Sequence, residues 1–381
     1  MTGNVMYLYP WDLRAEGTGD VLSRLGDAGI DGIALAAAYH SGRFLRPHGP
    51  RRKVYFPEGG TVYFTPDPGL YGRLQPRMAE EARFFDGFAE LARHGGFAVA
   101  AWTVGLHNSR MGQQHPDLAA QTPYGDPLFN SLCPAQPEVR DYLAALCRDA
   151  ANQPGVSEIL LETPGWQVFR HGHHHEFELI ELPDRVQLLM GLCFCTACRA
   201  GLERCGVDAD RLAARTLEEL DSFFETAALP PTDPWSDPDW QGFHDWREGC
   251  VASLVGEVRA ALPDGTRLAV IPTTRNPNRL CRAEGSDPAS LARAADRLEV
   301  QAYCRGVPGI VEDAVWVRET AGPDARIGFV LRPSWPDLTD GGQVREAVSR
   351  LRQLNPTSLA FSNYGHMRLR SLDWIRAALA P

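Results

Sequence analysis

Short apolar runs alternate with amphipathic stretches along this whole chain, and that alternation constrains its fold more than any other feature. The apolar runs fall at residues 5–9, 32–38, 98–104, 156–161, 268–271, 298–302, 327–331 and 358–361. Each is short and closed by Pro, Gly or polar residues, which marks a buried strand rather than a helix. Between them lie helical patterns, one from about Thr18 and others at 79–94, 137–152, 187–262, 288–295, 309–320, 341–354 and 372–379. Eight strand–helix units with right-handed crossovers close most naturally into a (β/α)8 TIM barrel of the α/β class. An open doubly wound sheet is the alternative, weakened because no Gly-x-Gly-x-x-Gly follows the first run.

The chain reads as a single barrel domain, 1–381, with two elaborations. A helical insertion containing cysteines spans 187–262 after the fourth strand, interrupted by Leu229-Pro230-Pro231-Thr232-Asp233-Pro234. A loop or lid at 40–78 follows the second strand, with a hairpin expected around 54–56 and 62–64. A second long loop, 105–138, carries His107, Asn108 and Arg110.

Charge and cysteine usage narrow the class. A net charge of -10, with Arg51-Arg52-Lys53 as the one short basic cluster, argues against nucleic acid as a partner. No apolar run approaches the roughly 20 residues that span a bilayer. The start, MTGNVMYLYPWDLR, lacks the basic and apolar regions of a signal peptide. Nine cysteines, three of them spaced Cys-x-Cys-x-x-Cys, suit thiolate ligation better than a secreted disulfide framework, and a cytoplasmic location is expected.

The fourth strand ends in Glu162, and Pro164-Gly165-Trp166 stops it from continuing. In a barrel, residues just past each strand converge on one face. Here they are Trp11 and Asp12, His40, His107 and Asn108, Glu162 and Trp166, Arg275, Gln301 and Tyr303, Arg332 and Trp335, then Asn363 and Tyr364. Aromatic faces beside hydrogen-bonding side chains suit a sugar, whose C–H faces pack on rings while its hydroxyls need paired donors and acceptors. A partly desolvated Glu162 suits a general acid for a glycosidic oxygen. The second carboxylate such chemistry needs has two candidates, Asp12 and Glu176. His107, Asn108, Arg110, His173 and His175 would position hydroxyls, and Trp11, Trp166 and Trp335 would supply ring platforms. The run from His171 through His173, His174 and His175 to Glu176 also admits a metal site, with His173 and His175 facing the same way in an extended segment.

Cys193, Cys195 and Cys198 are three ligands toward a structural zinc, or else buried thiols packing a helix on the barrel. Cys205 is too far to be the fourth, since seven helical residues rise about 10 Å. Cys133, Cys147 or a loop histidine would have to complete the set. Either way the cluster belongs to architecture, and no cofactor is required for the chemistry.

The segment Ser131-Leu-Cys-Pro-Ala-Gln-Pro-Glu-Val-Arg140, the strand ending Leu-Leu-Glu162, and Leu-Cys193-Phe-Cys195-Thr-Ala-Cys198 resemble glycoside-hydrolase-like TIM-barrel proteins. The resemblance is close over residues 97–205 and architectural elsewhere. It implies a glycosidase with Glu162 in the strand-four acid/base position. Arg332 stands where the large retaining clan carries its strand-seven nucleophile, which leaves inversion, another second group, or loss of hydrolysis open. The expected partner is a small carbohydrate or glycoside, with no nucleic acid and no membrane, the chain acting alone or as a homo-oligomer. A non-catalytic sugar-binding barrel and a metal-dependent hydrolase or isomerase are the rival readings.

Overall fold

The computed structural model describes residues 1–171, 181–228, 238–274 and 281–380. Among them, eight strands run parallel and close on themselves: β1 Gly3–Leu8, β2 Gly32–Tyr39, β3 Ala98–Val104, β4 Val156–Glu162, β5 Arg267–Val270, β6 Arg297–Gln301, β7 Ile327–Leu331 and β8 Ser358–Phe361. Each pairs with its sequence neighbours, and β8 pairs back onto β1. The result is a (β/α)8 TIM barrel.

Side-chain alternation along the strands separates two apolar layers. Val5, Tyr7, Ala34, Ala36, Ala100, Trp102, Leu160, Ala269, Val330 and Ala360 fill the barrel. The alanines leave room for Tyr7 and Trp102, whose rings meet edge to face at 4.9 Å. Met6, Leu8, Ile33, Leu35, Val99, Ile159 and Leu161 point outward instead and pack beneath the helices. At the base of the barrel, Arg297 on β6 donates to Glu158 on β4 at 2.6 Å and also binds Glu299, all three buried.

Three local expectations are corrected. The pattern at 79–94 is a 3-10 turn, Glu80–Arg83, followed by a helix that begins only at Gly87, because the Asp86 carboxylate accepts from the Ala89 N–H at 3.0 Å and sets the first turn there. The hairpin placed at 54–56 and 62–64 does not form: Val54–Tyr55 pairs with Phe44–Leu45, and Thr61–Val62 joins the end of β2. The reason is that β1 stops opposite Leu35, so Ala38 and Tyr39 keep open backbone groups on that side. The stretch 105–138 is also less irregular than expected, holding the helix Ser109–Gln114 and an antiparallel pair, Ala119–Gln121 with Pro127–Leu132.

Between β4 and β5 lie the helices Asp184–Met190, Thr196–Arg204, Ala209–Thr226 and Pro238–Ala261. They share a core of their own, with Leu188, Leu189, Phe194, Leu202, Leu212, Leu220, Trp240 and Phe243 buried together. The long helix Pro238–Ala261 also packs against Pro137–Ala151 and Pro288–Ala294, in the outer ring of the barrel.

Candidate active site

β4 delivers Glu162 to the C-terminal rim, and the chain then turns sharply. Thr163 sits at φ 59°, a left-handed conformation that is an outlier for a β-branched residue. Gly165 follows so close to the turn after β5 that a Cβ there would lie 2.0 Å from the Glu284 carbonyl oxygen. In place of that clash, the Trp166 N–H donates to the same oxygen at 3.2 Å. The loop after β4 and the short helix Cys281–Glu284 are therefore locked together, and both reach one cavity.

That cavity has a volume of about 290 Å3, and its polar lining includes Glu162, Glu284, His40, His107, Gln167 and Gln301. Tyr303 and Trp166 supply rings, and Thr273, Ser286 and His171 complete the polar side. The Glu162 carboxylate accepts from the Trp102 indole N–H at 2.6 Å and from the Gln301 amide at 3.3 Å. Burial pushes its carboxyl above the ordinary carboxylate range, and these two hydrogen bonds only partly oppose the shift. Glu284 accepts from the Thr273 hydroxyl. His40 and His107 stack at 4.5 Å, and His171 meets His107 edge to face at 4.8 Å. Burial holds His40 below its usual imidazole value, which favours a neutral ring. Trp166 is buried, and its indole N–H has no partner among the described residues.

Of the residues singled out from sequence, Glu162, His40, His107, Trp166, His171, Gln301 and Tyr303 share this cavity. The other singled-out residues that the structure describes stand elsewhere. Asp12 is fully buried at the start of the helix Pro10–Glu16, where it takes the Tyr9 N–H at 3.2 Å and pairs with Arg46 at 3.2 Å. Burial pushes its carboxyl up to about 7, against the pull of Arg46. Trp11 is buried in a stack with Tyr9 at 4.2 Å. Asn108 caps the helix Ser109–Gln114 through the Met111 N–H, and Arg110 donates to the Gly59 carbonyl. Arg332 holds Asp337 through bonds of 2.6 and 2.9 Å and lies over the Tyr303 ring, so it touches the cavity wall from behind. Trp335 is 76% exposed. Asn363 is buried and accepts from the Gly365 N–H, while the Tyr364 hydroxyl donates to Glu16 at 2.9 Å. His173, His174, His175, Glu176 and Arg275 lie outside the described residues. Apart from His40, the loop at 40–78 contributes nothing to the cavity lining among the described residues.

Sequence reasoning missed Glu284, Thr273 and Gln167. It examined the residues immediately after each strand, whereas Glu284 arrives well beyond β5, ahead of Gly285 at φ +75°. An acid placed before a Gly-Ser-Asp-Pro helix start was the available signal.

A separate cluster sits beneath the insertion. Cys133, Cys193, Cys195 and Cys198 are all buried, with sulfurs within 4.8 Å of one another. Among the described residues this is the group of His, Cys, Asp and Glu side chains close enough to share a metal ion. Cys133 supplies the fourth position, and Cys205 is exposed at the far end of its helix.

No family model matches the chain, and no curated protein matches it in sequence. Solved structures do match in fold. The PgaB (BpsB) glycoside hydrolase domain from Bordetella bronchiseptica aligns over 100% of this chain and 99% of its own, at 13% identity and a TM-score of 0.64. The catalytic domain of β-amylase from Paenibacillus polymyxa aligns over 100% and 99%, at 12% identity and a TM-score of 0.56. A class V chitinase from Pseudomonas fluorescens Pf-5 aligns over 100% of each chain, at 9% identity and a TM-score of 0.50. At these identities the likeness is one of fold alone, that of a (β/α)8 barrel. No helix among the described residues is long and apolar enough to cross a membrane.

Proposed function

We propose that this protein is a glycoside hydrolase acting on a small carbohydrate or glycoside, with Glu162 as general acid. One observation carries the reading: a carboxyl raised by burial at the end of β4 shares a sugar-sized cavity with a second carboxyl, Glu284. Glu162, protonated, gives its proton to the glycosidic oxygen as the C–O bond breaks. The Trp102 and Gln301 donors then stabilise the carboxylate that this leaves behind. Glu284 takes the role for which sequence had suggested Asp12 or Glu176, as base for the attacking water or as nucleophile. Trp166 and Tyr303 offer ring faces, and His40, His107 and Gln167 offer hydroxyl partners. Fold neighbours named as a glycoside hydrolase, a β-amylase and a chitinase support the substrate class.

The cysteine cluster, on the same reading, is a structural zinc site outside the chemistry, and the sugar-cleaving step needs no cofactor. The test is turnover and thermal shift with chitooligosaccharides, maltooligosaccharides and aryl glycosides, on wild type, Glu162→Gln and Glu284→Gln. A sugar that stabilises all three proteins but is cleaved only by wild type supports the assignment. Stabilisation with no turnover by any of them establishes a sugar-binding barrel instead.

A further inference from the structure

Arg247 is 1% exposed, on the inner side of the helix Pro238–Ala261. A buried guanidinium costs several kcal/mol unless opposite charge meets it. No carboxylate among the described residues forms an ion pair with it. Its hydrogen bonds run to two backbone carbonyls, those of Ala283 and Gly191. Gly191 lies two residues before Cys193, so the guanidinium is bonded to the backbone that carries the cysteine cluster. Burial lowers the Arg247 pKa, opposed by Cys198, Cys193 and Cys133 of that cluster and by Cys250.

The cluster has the geometry and surroundings of bound thiolates. Tetrahedral metal–sulfur bonds of about 2.3 Å place sulfurs about 3.8 Å apart. Cys133 lies 3.8 Å from Cys195 and 3.5 Å from Cys198. The Gln121 backbone N–H points at the Cys193 sulfur at 3.3 Å, and the Gln136 amide at the Cys195 sulfur at 3.7 Å. Cys195 also stands at the N-terminal boundary of the helix Thr196–Arg204, whose dipole favours negative charge there. A divalent ion on four thiolates still carries a net negative charge, so the centre needs a counter-charge.

The face of Arg247 turned from the backbone carbonyls is equally informative. Its guanidinium lies over the Trp166 ring, 4.3 Å from the centroid, and Trp166 lines the cavity. A second connection runs from the same cluster: the Ser131 hydroxyl, two residues before Cys133, accepts from the Gln167 N–H at 3.1 Å, and Gln167 lines the cavity too.

We infer that the metal held by Cys133, Cys193, Cys195 and Cys198 is charge-balanced by the buried guanidinium of Arg247, which ties occupancy of that centre to the Trp166 wall of the cavity. The inference rests on the zinc reading and extends it: Arg247 is a positioning residue that serves both sites. By linkage, loss of the ion loosens Arg247 and Trp166, and loss of Arg247 weakens the hold on the ion.

The experiment uses the reduced full-length protein. Metal content is measured by elemental analysis, affinity by chelator competition with Zn2+ and Co2+, and the state of Trp166 by the fluorescence difference between wild type and Trp166→Phe. Wild type is expected to carry one ion per chain and to show sulfur-to-cobalt charge-transfer bands with Co2+, both lost in Cys133→Ser. Arg247→Met should weaken metal affinity by about tenfold or more, the range for partners just outside a metal's ligands. It should also abolish the Trp166 response to chelation. Arg247→Lys, which keeps the charge but not the planar stack, should keep most of the affinity and lose the Trp166 response. Circular dichroism monitors folding, and if Arg247→Met unfolds then Arg247→Lys decides the question. Wild-type affinity in Arg247→Met, or an intact Trp166 response in Arg247→Lys, overturns the coupling and leaves the zinc site standing. Absence of metal and of cobalt bands in wild type overturns the zinc reading itself.

Discussion

Trp102 donates its indole N–H to Glu162 at 2.6 Å, and such a bond favours the charged carboxylate. Trp102→Phe removes it and leaves burial unopposed on that oxygen, so the Glu162 pKa rises further. Because a general acid works protonated, the alkaline limb of the kcat/KM profile should move to higher pH in this variant. An unmoved or lowered limb would mean that Glu162 is not the acid. Asp12 is also raised by burial, to about 7, yet it faces Arg46 and the Tyr9 N–H rather than the cavity. Asp12→Asn should therefore change turnover by less than about tenfold, against the 10²–10⁴ expected for loss of a general acid. Gly165 is a third residue-scale test. A methyl there meets the Glu284 carbonyl, so Gly165→Ala should displace Glu284 and cut turnover while the far-UV spectrum stays that of wild type. Full turnover in Gly165→Ala would remove Glu284 from the mechanism.

The helix Pro288–Ala294 starts just after two residues of the cavity wall and adds Leu291 to it. Its Asp287 cap accepts from the Ser290 N–H at 2.8 Å, and Ser286 and Glu284 line the cavity just before it. Asp287→Ala should cost about 1 kcal/mol in urea unfolding and Asp287→Asn only a fraction of that; equal losses would show that the carboxylate is not acting as a cap. Elements of this kind were legible in the sequence because strand and helix are written locally. β7 and β8 match their apolar runs residue for residue, since a strand buried on both faces is apolar throughout. Asp86 and the open end of β2 defeated the reading at 79–94 and 54–64, because a cap and an unpaired strand end override propensity. The site was half legible for the same reason. Glu162 and Gln301 end their strands and Trp166 follows closely on β4, whereas Glu284 returns to the rim after an excursion, and Cys133 meets Cys193, Cys195 and Cys198 only through the fold.

Across the whole barrel, β4 and β6 meet twice. Glu158 with Arg297 closes the base, and Glu162 with Gln301 opens the cavity, four residues and about 13 Å further along the same two strands. The two carboxyls titrate in opposite senses. Burial raises Glu158, but the charges and hydrogen bonds of Arg297 and of the Met1 amino group together outweigh it and hold the carboxyl below its usual range. That stabilisation is present above the unfolded-state value of roughly 4.3 and is lost as pH falls through the lower folded value. Glu162, raised by burial, does the reverse: its contribution is complete below the same unfolded value and is lost as pH rises through the folded one. Glu158→Gln should lower stability at pH 7 by less than the roughly 3–5 kcal/mol of a fully unpaired buried charge, since Glu299 still pairs with Arg297, and should flatten the acid-side loss. Glu162→Gln should raise the Tm at pH 7 and above, because an amide accepts from Trp102 without the cost of a buried charge. Thermal melts of both variants between pH 3 and 9 test the pair. If Glu162→Gln instead melts lower than wild type at pH 8, its carboxylate is stabilised in the fold, and a general acid poised by burial is the wrong description of this site.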